Sequence, residues 1–214
     1  MAANQIVTVD RGNAETNLAV NMANNGVINL GAPTGAGYSL LRGPAAVTLN
    51  NNGQLNTVQG DGGPRYLRVN LTNGPSGTVN IASADTRSDS GEGATTTTNN
   101  GTFVLQSAGV YRVSGGSVFV PGTTGTMEFH LAGEFAFGQL RADNAVNVDG
   151  TADPVLENDF DPSPGTRFPV IVAGHAGSFS DVLNGFTGGA PSPSEPRKGA
   201  SPKANTPPSA ATSQ

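Results

Sequence analysis

Two histidines and a scatter of carboxylates are the residues best able to do chemistry, since the chain has no cysteine. That absence excludes disulfides, thiolate metal sites and cysteine nucleophiles. His130 follows Phe129 in an alternating stretch and is expected on the same outward face as Glu128. His175 lies in Ala173-Gly-His-Ala-Gly177, which reads as a turn. Neither histidine has a second histidine or a carboxylate at ligand spacing in sequence, so no metal site and no cofactor are expected. His175, Ser178 and Asp181 supply the residue types of a hydrolytic triad. They lack a nucleophile elbow, and triads are assembled by the fold rather than by closeness in sequence. Acidic residues gather at Asp85, Asp89 and Glu92, and again at Asp149, Asp153, Glu157, Asp159 and Asp161. The loop from Asp85 to Glu92 offers oxygens for calcium, but it matches neither the EF-hand nor the Gly-Gly-x-Gly-x-Asp repeat. Gly60-Asp-Gly-Gly-Pro64 lacks the lysine and helix of a phosphate loop. Asn70-Leu-Thr72 and Asn100-Gly-Thr102 match the glycosylation sequon, as chance allows in a chain with 21 asparagines.

What positions these groups is a repeat. Gly26, Gly53, Gly77, Gly101, Gly125 and Gly150 each lead a short alternating segment, at spacings of 27, 24, 24, 24 and 25 residues. A seventh unit is expected to start at Gly177. Two residues after each glycine stand Ile28, Leu55, Val79, Phe103, Met127 and Ala152. Four residues after stand Leu30, Thr57, Ile81, Leu105, Phe129 and Pro154. Between them stand Asn29, Asn56, Asn80, Val104, Glu128 and Asp153. Side chains alternate faces along a strand, so the first two columns face inward and the third outward. An apolar column that returns every 24 residues is what a parallel β-solenoid requires, each turn of chain laid on the last. The glycines and asparagines suit corners of positive φ. Glu128 and Asp153 share the outward column and become neighbours on adjacent rungs. They are the best candidates for the paired carboxylates of a sugar-cleaving enzyme.

Further strands are expected in Val47-Thr48-Leu49, Tyr66 to Leu71, Val110 to Val113 and Ser117 to Val120, making up to three strands per rung. Gly31 to Gly43 and Ser83 to Asn100, the latter with four threonines at Thr95 to Thr98, read as loops leaving the rod. A sandwich also spaces its turns at 8–12 residues. It does not, however, demand one residue class in one column through six units. The fold class is therefore all-β, a right-handed parallel β-solenoid over residues 1–189. A Pro/Ser-rich disordered tail is expected over residues 190–214, which hold six of the 15 prolines.

The 214 residues carry 13 % charged residues and a net charge of −5. That excludes a coiled coil and argues against a nucleic-acid partner, which needs a basic face. No run of 18 apolar residues spans a membrane as a helix. The first ten residues lack the basic and apolar regions of a signal peptide.

The stretch from Gly125 to Gly185 carries a resemblance. It runs through Gly-Thr-Met-Glu-Phe-His-Leu-Ala, Phe137-Gly-Gln-Leu-Arg, Val146-Asn-Val-Asp-Gly-Thr and Phe160-Asp-Pro-Ser-Pro-Gly-Thr-Arg-Phe-Pro-Val-Ile-Val, and Gly177-Ser-Phe-Ser-Asp-Val closes it. It resembles the last rungs of bacterial autotransporter and haemagglutinin-like passenger β-helices. The resemblance implies a scaffold and carries over no catalytic residue. The chain departs from that family in showing no export signal, no outer-membrane barrel and a Pro-rich tail in the linker's place. The expected function is a non-enzymatic bacterial surface or secreted β-helix, adhesive or structural, with a glycan or host-surface ligand met by its Thr and Asn faces. The alternative is a glycan-active enzyme or a phage tail-spike piece that uses Glu128 and Asp153.

Overall fold

The computed structural model describes residues 1–182 apart from Arg11, Pro33, Thr34, Ala36, Glu92, Ser178 and Ser180. The expected tail over 190–214 and its boundary after residue 189 lie outside the described residues. Within them the chain forms a parallel β-solenoid with three faces. The first face stacks Ile6–Val9, Val27–Leu30, Gln54–Thr57, Thr78–Ile81, Thr102–Leu105, Thr126–Gly133, Thr151–Leu156 and Asp181–Val182. The second runs from Ala14–Asn17 through Ser39–Arg42, Arg65–Arg68, Thr86–Ser88, Val110–Val113 and Gln139–Ala142 to Ile171–Val172. The third stacks Met22–Asn24, Thr48–Asn51, Asn70–Asn73, Thr96–Asn99 and Val118–Pro121, and a separate pair, Val146–Val148 with His175–Gly177, follows.

The glycine-led columns hold in register. Val79 pairs with Leu55 and Phe103, and Phe103 with Met127. Ile28, Leu55, Val79, Phe103, Met127 and Ala152 are all buried. The core is one aliphatic shaft with an aromatic plug. Phe103, Tyr111 and Phe119 come from the three faces of one rung and meet with ring centroids 5.1 to 6.2 Å apart. Three aromatic side chains fill a cross-section that smaller residues fill elsewhere.

Four expectations are corrected. Val104 occupies the outward column yet is buried at 7 % exposure, so outward does not mean solvated there. Gly31 to Gly43 is not wholly a loop, because Ser39–Arg42 is a rung strand with Leu41 inside. Ser83 to Asn100 contributes two strands, Thr86–Ser88 and Thr96–Asn99, with Thr95 and Thr97 buried. Threonine is a good strand former because it is β-branched. Its hydroxyls are satisfied inside: Thr97 bonds Tyr111 at 2.7 Å, and Thr95 bonds both Ser88 and Ser117. The next unit does not begin at Gly177. Asp181 pairs with Thr151, three residues later than the glycine spacing predicts, while Gly177 pairs with Val148.

The corners also work differently from expectation. Among the repeat glycines only Gly150 has positive φ. The others are needed because a Cβ would strike the rung beneath. At Gly53 it would meet the Gly26 carbonyl oxygen, and at Gly101 those of Gly74 and Gly77. The corner asparagines act by hydrogen bonding. Asn24 donates Nδ2–H to Asn51 Oδ1 at 2.7 Å, Asn51 to Asn73 at 2.8 Å, and Asn73 to Asn99 at 2.8 Å. All four are fully buried. Each amide also donates to a main-chain carbonyl, that of Gln54, Thr78, Thr102 or Thr126. The ladder stops where Pro121 occupies the next position. Buried amides so satisfied fix the corner without an unpaired polar group.

Candidate functional site

Glu128 and Asp153 are register partners on the first face, as their shared column requires. Adjacent parallel strands place such side chains about 4.8 Å apart. His130 completes a cluster that spacing in sequence hides. Its Nδ1 lies 2.7 Å from Glu157 Oε1, and its Nε2 lies 3.6 Å from Glu128 Oε2. Spacing in sequence, which puts no carboxylate at ligand distance from a histidine, thus missed the Glu157 contact, while the shared outward face of His130 and Glu128 holds. His130 pairs with Val155 across the rung, and Glu157 follows two positions on. Carrying the outward column two residues past the repeat would have revealed it. The hydrogen bond from His130, helped by one from Ser107, holds the Glu157 carboxyl below its ordinary range against the opposing effect of burial. Glu157 is thus kept ionised, the reverse of what a general acid needs. Among the described residues no group of three or more His, Asp or Glu side chains is arranged to hold a metal ion.

The other expected candidates separate. His175 lies in a strand, not a turn, on the pair that continues the third face, while Asp181 pairs with Thr151 on the first. Ser178 lies outside the described residues. In the Asp85 loop both described carboxylates are taken by arginines. Asp85 accepts two hydrogen bonds from Arg87, each at 2.7 Å, and stands 3.5 Å from Arg112. Asp89 accepts from Arg68 at 2.5 and 3.3 Å. Burial alone would raise the Asp89 carboxyl, but the Arg68 bonds and the Gly91 N–H outweigh it and hold it below its ordinary value. Glu92 lies outside the described residues.

A second site was missed in sequence. Arg87, Arg112 and Arg141 are register partners on three consecutive rungs of the second face. They line an open groove of about 350 Å³ with Asp89, Val113, Ser114, Ala142, Asp143 and Val172. The glycine alignment follows the first face only, and loop lengths vary before the second, so these arginines fall at unequal offsets. Arg65, one column inward, has a different role. It is buried, and it donates to the Val58, Gly62 and Gly63 carbonyls, tying one corner down. Burial lowers its pKa.

On the Thr/Asn face, Asn50, Thr72 and Thr98 form one outward column, half-buried. Asn70 beside them is spent on the Ala45 carbonyl and the Thr96 N–H. No protein-family model matches the chain, and no curated protein or solved structure matches it either. No described helix is long and apolar enough to cross a membrane.

Proposed function

We propose that this protein is a non-enzymatic scaffold of the bacterial surface or of secretion, adhesive in role, that presents outward side chains at a fixed pitch to a glycan. The observation that carries this reading is the register. Outward columns repeat without slippage, as in Arg87, Arg112 and Arg141 or Asn50, Thr72 and Thr98. A lattice of equal side chains at equal spacing suits a polymeric ligand better than a single small substrate. The resemblance of Gly125 to Gly185 to autotransporter passenger rungs points the same way. Folds host many functions, so the weight rests on the register and not on the solenoid as such.

A glycan-active enzyme is the second reading. One observation favours it: Glu128 and Asp153 stand on neighbouring rungs, a separation near the roughly 5 Å of retaining glycosidases. Against it, Glu157 beside them is held ionised, and Glu128 and Asp153 line neither the arginine groove nor the one formed by Asp10, Asn29 and Val58. Incubation with a panel of bacterial and host polysaccharides is expected to release no reducing ends. Cleavage that vanishes in Glu128→Gln or Asp153→Asn would overturn the scaffold reading.

A further inference from the structure

We propose that the groove on the second face binds a linear acidic polysaccharide, with Arg87, Arg112 and Arg141 each meeting a carboxylate of successive sugar units. This deepens the adhesive reading and rests on it, by naming the ligand's chemistry and the residues that recognise it.

The three guanidinium groups stand on consecutive rungs, so positive charge recurs about every 4.8 Å along the rod. Their internal partners do not use them up. Asp85 serves both Arg87 and Arg112, by two short bonds to the first and one contact at 3.5 Å to the second. Arg141 donates to Gln139 Oε1 through Nε at 2.9 Å and Nη2 at 2.6 Å, and among the described residues no carboxylate lies within ion-pair distance of it. Of the groove's other acids, Asp89 is neutralised by Arg68, and Asp143 flanks the ladder at its far end. Arg87 and Arg112 keep side-chain exposures of 41 % and 40 %, so their free donors reach water. A guanidinium has five N–H donors and no acceptor, in a planar fork that fits a carboxylate by two parallel bonds. Val172, 45 % exposed, gives the groove an apolar edge against which a sugar ring can lie.

Lining and charge select the ligand class. Single-stranded nucleic acid is held by aromatic side chains on which its bases stack, and the residues that line this groove include no aromatic ring. A net charge of −5 repels a dense polyanion at long range, leaving only a local attraction. Neutral glycans offer the arginines no charge to meet.

The full chain would be titrated by calorimetry with polygalacturonate, with its fully methyl-esterified form, with dextran and with single-stranded DNA. Polygalacturonate alone is expected to bind, more weakly as salt rises. Arg112→Gln/Arg141→Gln is expected to weaken binding about tenfold or more, as loss of charge-assisted bonds does. Arg141→Lys should fall between, and Arg42→Gln, outside the groove, should match the parent. Circular dichroism melts would verify that each variant folds. Equal binding of the methyl ester, preference for DNA, no binding at all, or a double variant that folds and binds like the parent would each overturn the assignment. Reducing ends would be assayed in the same samples. Their release overturns the scaffold reading and leaves the ligand assignment standing, whereas absence of binding does the reverse.

Discussion

Asn73 is bonded on two sides along the rod. It accepts from Asn51, donates to Asn99 and to the Thr102 carbonyl, and has no contact with water. Removing its amide strands a donor below and takes a hydrogen bond from two acceptors above. Each buried group left unpaired costs roughly 1–3 kcal/mol. Asn73→Asp should be worse than Asn73→Ala, because a carboxylate cannot donate and would face the Asn99 and Thr102 oxygens. Urea melts are expected to rank the parent first, then alanine, then aspartate, with a gap that narrows at acid pH as the new carboxyl protonates. Equal stability of the two variants would mean that the ladder contributes only shape. At this scale the sequence spoke through composition, and that signal had two physical sources. Asn-Asn-Gly at three corners was legible as punctuation. That the asparagines bond one another, while the glycines make room, became visible only when the rungs were stacked. Val104 shows the limit: alternation gave its direction correctly but could not give its surroundings.

At the scale of the strand, the first face was legible because its residues recur at nearly constant spacing after each glycine. The second and third faces were partly hidden. A single residue, Val69, separates Arg65–Arg68 from Asn70–Asn73, whereas seven separate Thr86–Ser88 from Thr96–Asn99. Variable corners erase a fixed period, and with it went the arginine column, whereas the Glu157 partner of His130 lay on the first face two residues past the end of the repeat. The threonine run misled for a chemical reason, since hydroxyls look solvent-seeking until they find one another inside. Glycines offer a direct test of how closely strands stack. Gly101→Ala would drive a methyl into the Gly74 and Gly77 oxygens, whereas at Gly133 the nearest atom, Ala136 Cβ, is 3.7 Å from the added carbon. Overpacking costs about 1–3 kcal/mol. Thermal melts should show Gly101→Ala lowered by roughly 2–4 °C for each kcal/mol lost, with Gly133→Ala close to the parent. Equal melting of both would argue that the rungs can part to admit a side chain.

In the whole molecule each rung touches only the rungs above and below, so stability accumulates by neighbours rather than through one central core. The aromatic plug of Phe103, Tyr111 and Phe119 lies well inside the stack, while Ile6–Val9 has a partner strand on one side only and leaves Ile6 at 68 % exposure. Native-state hydrogen exchange is expected to be slowest at the amides of Thr102–Leu105 and fastest at those of Ile6–Val9, with a graded series between them. Uniform protection along the rod would indicate an all-or-none unit.

The seams between rungs bear on how such a chain is inherited. Residues 77 to 100 open on Gly-Thr and close on Asn-Asn, and residue 101 opens the following stretch on Gly-Thr again. A slip in copying the gene that repeated those 24 codons would join Asn100 to a second Gly77 through the same tetrapeptide found at the original seam. The new rung would meet matching neighbours on both sides, corner amide and side-chain-free glycine included. Length is then the cheapest property for this lineage to change, and a longer rod would extend its outward columns without the redesign of any single contact.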